Sequence, residues 1–195
     1  MKITRTEKRT AKISKVLSTR QDSLRVVIEN IHDPHNVSAI FRTCDAVGVP
    51  KVSLIYNVEK FPKIGKKSSA SAFKWVEKEK YKEIDDCYSS LRSEGFKIYA
   101  SALNENSLNL FDLDLTERVA VVLGNEHRGV SEEAAESADE TFMIPMFGMV
   151  QSLNVSVASA VILYEALRQR LAKGMYNIGE LNDELLEKAE DWLKK

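Results

Sequence analysis

The chain has 195 residues, 44% of them hydrophobic, and a formal net charge of −1, which is enough apolar material for one core and suggests one domain. No run approaches the roughly eighteen apolar residues of a membrane span, and the basic N-terminus lacks an apolar signal region, so a cytoplasmic protein without membrane contact is expected. Cys44 and Cys87 stand far apart with no CxxC or histidine spacing, which argues against a disulfide framework and against a metal site.

The balance of charge conceals an uneven distribution. Lys2, Arg5, Lys8, Arg9, Lys12, Lys15, Arg20 and Arg25 crowd the start of the chain, opposed only by Glu7 and Asp22. A second basic stretch holds Lys60, Lys63, Lys66, Lys67, Lys74, Lys78, Lys80 and Lys82, while acid collects in the last twenty residues. Such patches can attract phosphate without reading sequence, and they can equally be solvated faces.

Residues 5–19 read as an amphipathic helix with Ala11, Ile13, Val16 and Leu17 on its apolar side. A strand at 24–28 runs into Asn30 and the turn former Asp33-Pro34, and a helical pattern over 36–47 closes at Gly48. A strand at 52–56, a short helix near 68–73, a strand near 75–79, a helix over 84–94 and a strand at 96–100 follow. Residues 119–123 are unbroken apolar and read as a buried strand. A strand at 141–144 leads through a polar loop into a helix ending near residue 170, and a last helix over 178–193 repeats Leu181, Leu185, Ala189 and Trp192 as one stripe that must pack on its own domain or on a partner. This alternation predicts an α/β domain with a mainly parallel sheet flanked by helices.

The chain contains no GxGxxG and no GxxxxGK[ST], so a nucleotide would be held without either phosphate loop. Three polar segments stand at strand ends, where open α/β sheets place ligands. The first, over 30–43, contains Asn36 and Arg42; alone it reads as a helix capped by Asn36. The second, over 123–131, contains Leu123, Gly124 and Glu126, followed by His127, Arg128 and Gly129; alone it is a tight turn before a helix capped by Ser131. The third, over 144–160, contains Ile144, Met146, Gln151, Ser152, Leu153 and Asn154. Its apolar members suit a pocket for adenine, with backbone groups reading the ring edge.

Together, and in this order, the three segments resemble the motifs of the SpoU branch of the SPOUT methyltransferases, the RNA ribose 2'-O-methyltransferases. The run from Met149 to Arg170 is similar to the branch that modifies the D-loop guanosine at tRNA position 18. The resemblance implies an S-adenosylmethionine cofactor without a metal, a tRNA partner, a homodimer, and a C-terminal trefoil knot that physical rules alone would not suggest. It implies cofactor contacts from Gly124, Ile144 and Leu153, with Leu123, Met146 and Ser101 beside them, and catalytic positions at Asn36, Arg42, Glu126, Ser152 and Asn154. On this reading residues 1–22 are a basic helical extension, 23–172 a knotted core and 173–195 a C-terminal helical extension. Methylation of rRNA or another tRNA nucleotide, a non-enzymatic RNA-binding module, and a generic nucleotide-binding α/β protein are the alternatives.

Overall fold

A strand covered on both faces needs apolar residues at consecutive positions, and the central strands of this chain have them. The computed structural model describes residues 5–64, 72–179 and 181–194. The chain opens with α1 (Arg5–Ser18), then alternates through β1 (Leu24–Glu29), α2 (Pro34–Ala46), β2 (Lys51–Ile55), α3 (Ala72–Trp75), β3 (Glu77–Tyr81), α4 (Ile84–Ser93) and β4 (Lys97–Ser101). It continues through β5 (Leu108–Asn109), a 3-10 turn at Leu110–Asp112, β6 (Val119–Leu123), α5 (Glu132–Glu136), β7 (Glu140–Met143), α6 (Val155–Ala172) and α7 (Asp183–Lys194). One sheet results, in the order β3-β2-β1-β6-β4-β7-β5, with every neighbouring pair parallel. The α/β architecture expected from the alternation is the one that forms.

Side-chain alternation along the strands builds the two sides of the core. Leu24, Val26 and Ile28 of β1 join Val119, Val121 and Leu123 of β6 in one cluster, which takes in Val37, Ile40 and Phe41 of α2 and Ile162, Leu163 and Ala166 of α6. Val27, Ala120, Val122, Ile98 and Ala100 join Cys87, Tyr88 and Leu91 of α4 and Ala134 of α5 in the other. Each fully buried leucine, isoleucine or valine is worth about 1.5–3 kcal/mol. The two neighbours β1 and β6, in register at Val26 and Val121, thus sit at the centre of the sheet and release their following loops side by side.

Several boundaries differ from expectation for local reasons. α2 starts at Pro34 because Asp33 is its cap, accepting from His35 N at 2.7 Å, and proline at the first helical position has no bond to lose. Trp75 ends α3, so the strand expected at 75–79 begins at Glu77; the short helix expected near 68–73 falls partly on residues 65–71, outside the described residues. The last helix starts at Asp183, with Asn182 Oδ1 accepting from Leu185 N at 2.9 Å. β5 and the 3-10 turn carried no periodicity and were not expected.

The stripe on α7 packs on its own chain. Trp192 is buried with Ile13 and Leu17 of α1, surrounded by Val16, Trp75, Leu181, Leu185 and Ala189; Ala11, expected on that side, is exposed. At the far end of α6 the Arg170 side chain is fully buried and donates to the carbonyls of Leu115 (2.8 Å), Ser23 (3.0 Å) and Glu117 (2.7 Å), to Ser23 Oγ (2.8 Å) and to Gln21 Oε1 (3.2 Å). Burial lowers its pKa, but complete satisfaction of the guanidinium by oxygen acceptors keeps the cation tolerable. Among the described residues no helix is long and apolar enough to cross a membrane.

Candidate active site

The site grows from the loops that follow β1 and β6. Asn30, one residue past β1, has φ +52, a left-handed conformation that asparagine adopts more readily than most residues. Every polar group on it is used. Its N–H donates to Ile55 O (2.9 Å) and Nδ2 to Asn57 Oδ1 (2.7 Å), while Oδ1 accepts from Val58 N (3.1 Å) and Glu59 N (3.0 Å) and the carbonyl accepts from Asn125 Nδ2 (2.8 Å). The loops after β1, β2 and β6 are thereby locked to one buried residue. Tyr56 adds a bond from its hydroxyl to Ile31 O (2.9 Å), and burial pushes that phenol above its ordinary pKa.

After β6 the chain folds back on itself so tightly that Gly124 has no alternative: a Cβ there would lie 2.0 Å from Val130 N and 2.1 Å from Gly129 C. Asn125 and Gly129 exchange backbone bonds of 2.9 and 2.8 Å, and Gly129 takes φ +72, which glycine alone accepts without strain. Asn125 Oδ1 accepts from His127 N (2.9 Å) and Arg128 N (3.3 Å), fixing the turn from inside.

The turn aims Glu126 at the head of α2. Its Oε1 accepts from Asp33 N and Asn36 Nδ2, and its Oε2 from His32 N, each at 3.0 Å. Burial pushes the Glu126 pKa up, but the hydrogen bonds from Asn36, His32 and Asp33 outweigh it and hold the carboxyl below the ordinary glutamate value. Asn36 in turn accepts at Oδ1 from Asn154 Nδ2 (3.1 Å), and Asn154 caps α6 by accepting from Ser156 N (2.9 Å) and Ser156 Oγ (2.6 Å). Glu126, Asn36 and Asn154 therefore form one ladder across three loops. What Glu126 and Asn36 orient here is the turn that starts α2, the helix carrying Arg42. Arg42 itself is exposed and lies six residues after Asn36, about 120° away around the helix.

Beside the ladder lies a cavity of about 430 Å³. Ser101, Leu123, Gly124, Ile144, Met146 and Leu153, the six expected cofactor residues, all line it, and so do Glu126 and Ser152. Asn36, Arg42 and Asn154 stand outside its lining. Among the described residues, no backbone N–H or C=O between Ile144 and Leu153 bonds to another residue, although Ile144, Met146 and Leu153 are half-buried. Apolar walls with unpaired backbone donors and acceptors at their edge suit a flat heterocycle such as adenine. The described residues gather no group of three or more His, Cys, Asp or Glu suited to a metal.

Sequence reading missed Asn30, Tyr56, Glu59 and Asn125 as parts of the site. Asn30 looked like the end of a strand; the available signal was an asparagine directly after a buried apolar run, a common place for a left-handed turn.

Residues 23–164 match the SpoU rRNA Methylase family. The tRNA (guanosine(18)-2'-O)-methyltransferase of Thermus thermophilus is 47% identical over 192 residues, 98% of either chain. The Escherichia coli enzyme of the same name is 43% identical over 168 residues, 86% of this chain and 73% of its own. Among solved structures, the A. aeolicus TrmH/SpoU tRNA modifying enzyme superposes with a TM-score of 0.89 at 42% identity, covering 97% of this chain and 96% of that one. The SpoU methyltransferase AviRb from Streptomyces viridochromogenes, in complex with AdoMet, has a TM-score of 0.70 at 28% identity, covering 78% and 62%. A cavity at the ends of β6 and β7, closed by a glycine turn and joined to an acid-amide ladder, is thus set in a sequence that matches this group along nearly its whole length, and the chain belongs to the SpoU methylase family.

Proposed function

We propose that the chain is an S-adenosylmethionine-dependent tRNA (guanosine(18)-2'-O)-methyltransferase that works as a homodimer. The observation that carries this reading is the meeting of two halves at Glu126, which lines the cavity and also heads the ladder to Asn36 and Asn154. Leu123, Ile144, Met146 and Leu153 would hold the cofactor's adenine, with Gly124 and Ser101 beside it. When bound, S-adenosylmethionine supplies an electrophilic methyl group at a sulfonium.

The methyl passes from sulfur to the 2'-oxygen, the hydroxyl proton leaves to solvent water, and the residues of the chain have to orient the ribose for that exchange. Arg42 is a poor base, since a guanidinium has a pKa above about 12; it instead holds the neighbouring phosphate and stabilises charge developing on the 2'-oxygen. Glu126, kept ionised by three donors, is a weak base as well and acts by fixing the turn that carries α2. Ser152 and Asn154 shape the mouth of the cavity and the start of α6.

Support for RNA comes from the exposed Lys8, Arg9, Lys12 and Lys15 of α1 and from Lys60, Lys63, Lys74, Lys78, Lys80 and Lys82; Lys66 and Lys67 lie outside the described residues. Support for a second copy comes from apolar side chains left in solvent. Phe147 and Met149 are 100% and 98% exposed, and Val157, Tyr164 and Leu171 recur every seven residues along one face of α6. The trefoil knot, the cytoplasmic location and the division into a core with two paired helical extensions belong to the same reading.

The test is methylation of tRNA transcripts by the purified protein with labelled S-adenosylmethionine, followed by mapping of the modified nucleotide. Label in a transcript with guanosine at position 18, and none when that guanosine is 2'-deoxy, is the expected result. Label that persists in the deoxy transcript, or that enters only rRNA, overturns the assignment of position 18. Sedimentation equilibrium tests the dimer: the wild type is expected at twice the chain mass and Tyr164→Glu at the chain mass.

A further inference from the structure

His127 and Arg128 follow Glu126 in the turn, and nothing in the proposed methyl transfer uses them. Arg128 lines the cavity, its side chain is 55% exposed, and its Nη2 lies 2.9 Å from Glu59 Oε1. The other Glu59 oxygen faces His32 Nδ1 at 3.7 Å. Glu59 does not hang freely on the surface. Its N–H is held by the buried Asn30 side chain, the same residue whose carbonyl anchors Asn125 beneath Arg128.

An exposed ion pair of this kind contributes little to stability, so its geometry calls for another purpose. Among the described residues only Nη2 of Arg128 is engaged, and once, which leaves a two-donor edge of the guanidinium, the second Nη2 hydrogen with either Nη1 or Nε, matched to two phosphate oxygens. The side chain's conformational freedom is restricted before any ligand arrives, because Arg128 is held on one oxygen of Glu59, whose other oxygen is turned toward His32. An anion approaching the rim of the cavity therefore meets a guanidinium that is already oriented.

We propose that Arg128 is a contact for an RNA phosphate at the rim of the cofactor cavity, with Glu59 as its positioning residue. The inference rests on the reading of the chain as an RNA methyltransferase and adds a backbone subsite to it, separate from Arg42 and from the basic face of α1.

The test compares wild type, Arg128→Gln, Arg128→Lys, Glu59→Gln and the double variant Arg128→Gln/Glu59→Gln on a tRNA transcript. Arg128→Gln is expected to raise the KM for RNA about fivefold or more and to reduce the slope of log affinity against log salt by about one, the signature of one lost phosphate contact. Calorimetric affinity for S-adenosylmethionine should stay within about twofold, because a phosphate contact does not serve the cofactor. Arg128→Lys is expected to restore the salt slope without restoring the KM, since the charge returns and the fork does not. Glu59→Gln should raise the KM by a smaller factor, and in that background Arg128→Gln should cost less than it does alone. An Arg128→Gln variant with unchanged KM and salt slope overturns the proposal, as does one whose cofactor affinity falls as far as its RNA affinity. A wild type that methylates no RNA overturns the underlying reading together with it, whereas an active wild type and an indifferent Arg128→Gln overturn the subsite alone.

Discussion

Glu126→Gln changes one atom and disturbs three hydrogen bonds. The glutamine can keep its oxygen toward Asp33 N and Asn36 Nδ2, but its amide nitrogen then faces His32 N–H, a donor against a donor. A bond to a charged acceptor is worth about 1.5–3 kcal/mol and a neutral one about 0.5–1.5, so the two surviving bonds weaken by about 1 kcal/mol each, and the orphaned N–H costs about 1 kcal/mol or more. The sum is about 3 kcal/mol, because water can reach the exposed His32 end of the site. If the turn must be held for the ribose to be aligned, that energy appears in the rate as a loss of about 100-fold in kcat/KM. Steady-state methylation of tRNA gives the rate, and urea unfolding at fixed protein concentration gives the stability. The pH dependence adds an independent check. The folded-state pKa of Glu126 is depressed below 4.5, so its stabilising contribution is fully present above that value and is lost as pH falls through the lower folded value. The stability gap between wild type and Glu126→Gln should therefore be constant near neutrality and close on acidification. A variant with kcat/KM within about threefold of wild type and an unchanged urea midpoint would refute the reasoning.

Gly124→Ala places a Cβ on backbone atoms 2.0–2.2 Å away, so the turn must open and the cavity wall with it; calorimetry should show at least about a 100-fold loss of S-adenosylmethionine affinity, since the clash is with backbone that cannot rotate away, and wild-type affinity would contradict this. Arg170→Met leaves three carbonyls and two side-chain oxygens without their donor in the interior; about 3–5 kcal/mol should be lost, a Tm decrease of roughly 6–20 °C by calorimetry, and a loss below about 1 kcal/mol would show that water replaces the guanidinium. At Asn30 the positive φ ranks the variants: Asn30→Gly keeps the backbone and loses the side-chain bonds, whereas Asn30→Ala loses both, so melting temperatures should fall in the order wild type, glycine, alanine, and the reverse order of the last two would mean that the backbone relaxes.

The sheet was legible because its signal is dense. The apolar runs at β1 and β6 permit little else, and every long element was placed within a few residues. The short edge elements were not, since a two-residue strand such as Leu108–Asn109 has no period to detect. The site divides in the same way. Gly124, Ile144, Met146 and Leu153 were found by their motifs and do line a common cavity. The ladder from Glu126 through Asn36 to Asn154 could not be read, because it joins residues 90 and 118 positions apart, and hydrogen-bond partners at that separation are set by the sheet order rather than by local sequence. Asn30 was missed for a further reason: its importance lies in one dihedral angle, and no pattern of residue types states an angle.

Trp75 and Trp192 are the two tryptophans of the chain, and their ring centres lie 4.8 Å apart, with the Arg20 guanidinium 5.4 Å above the Trp192 ring. Emission excited selectively from tryptophan therefore originates from a single spot, the junction where α1 and α7 meet, and neither ring borders the cavity at the ends of β6 and β7. An optical titration with S-adenosylmethionine will look silent even at full occupancy, while an RNA that docks on α1 will be visible at once. A fluorescence melt records the parting of the outer helix pair, and circular dichroism is needed to see when the sheet lets go.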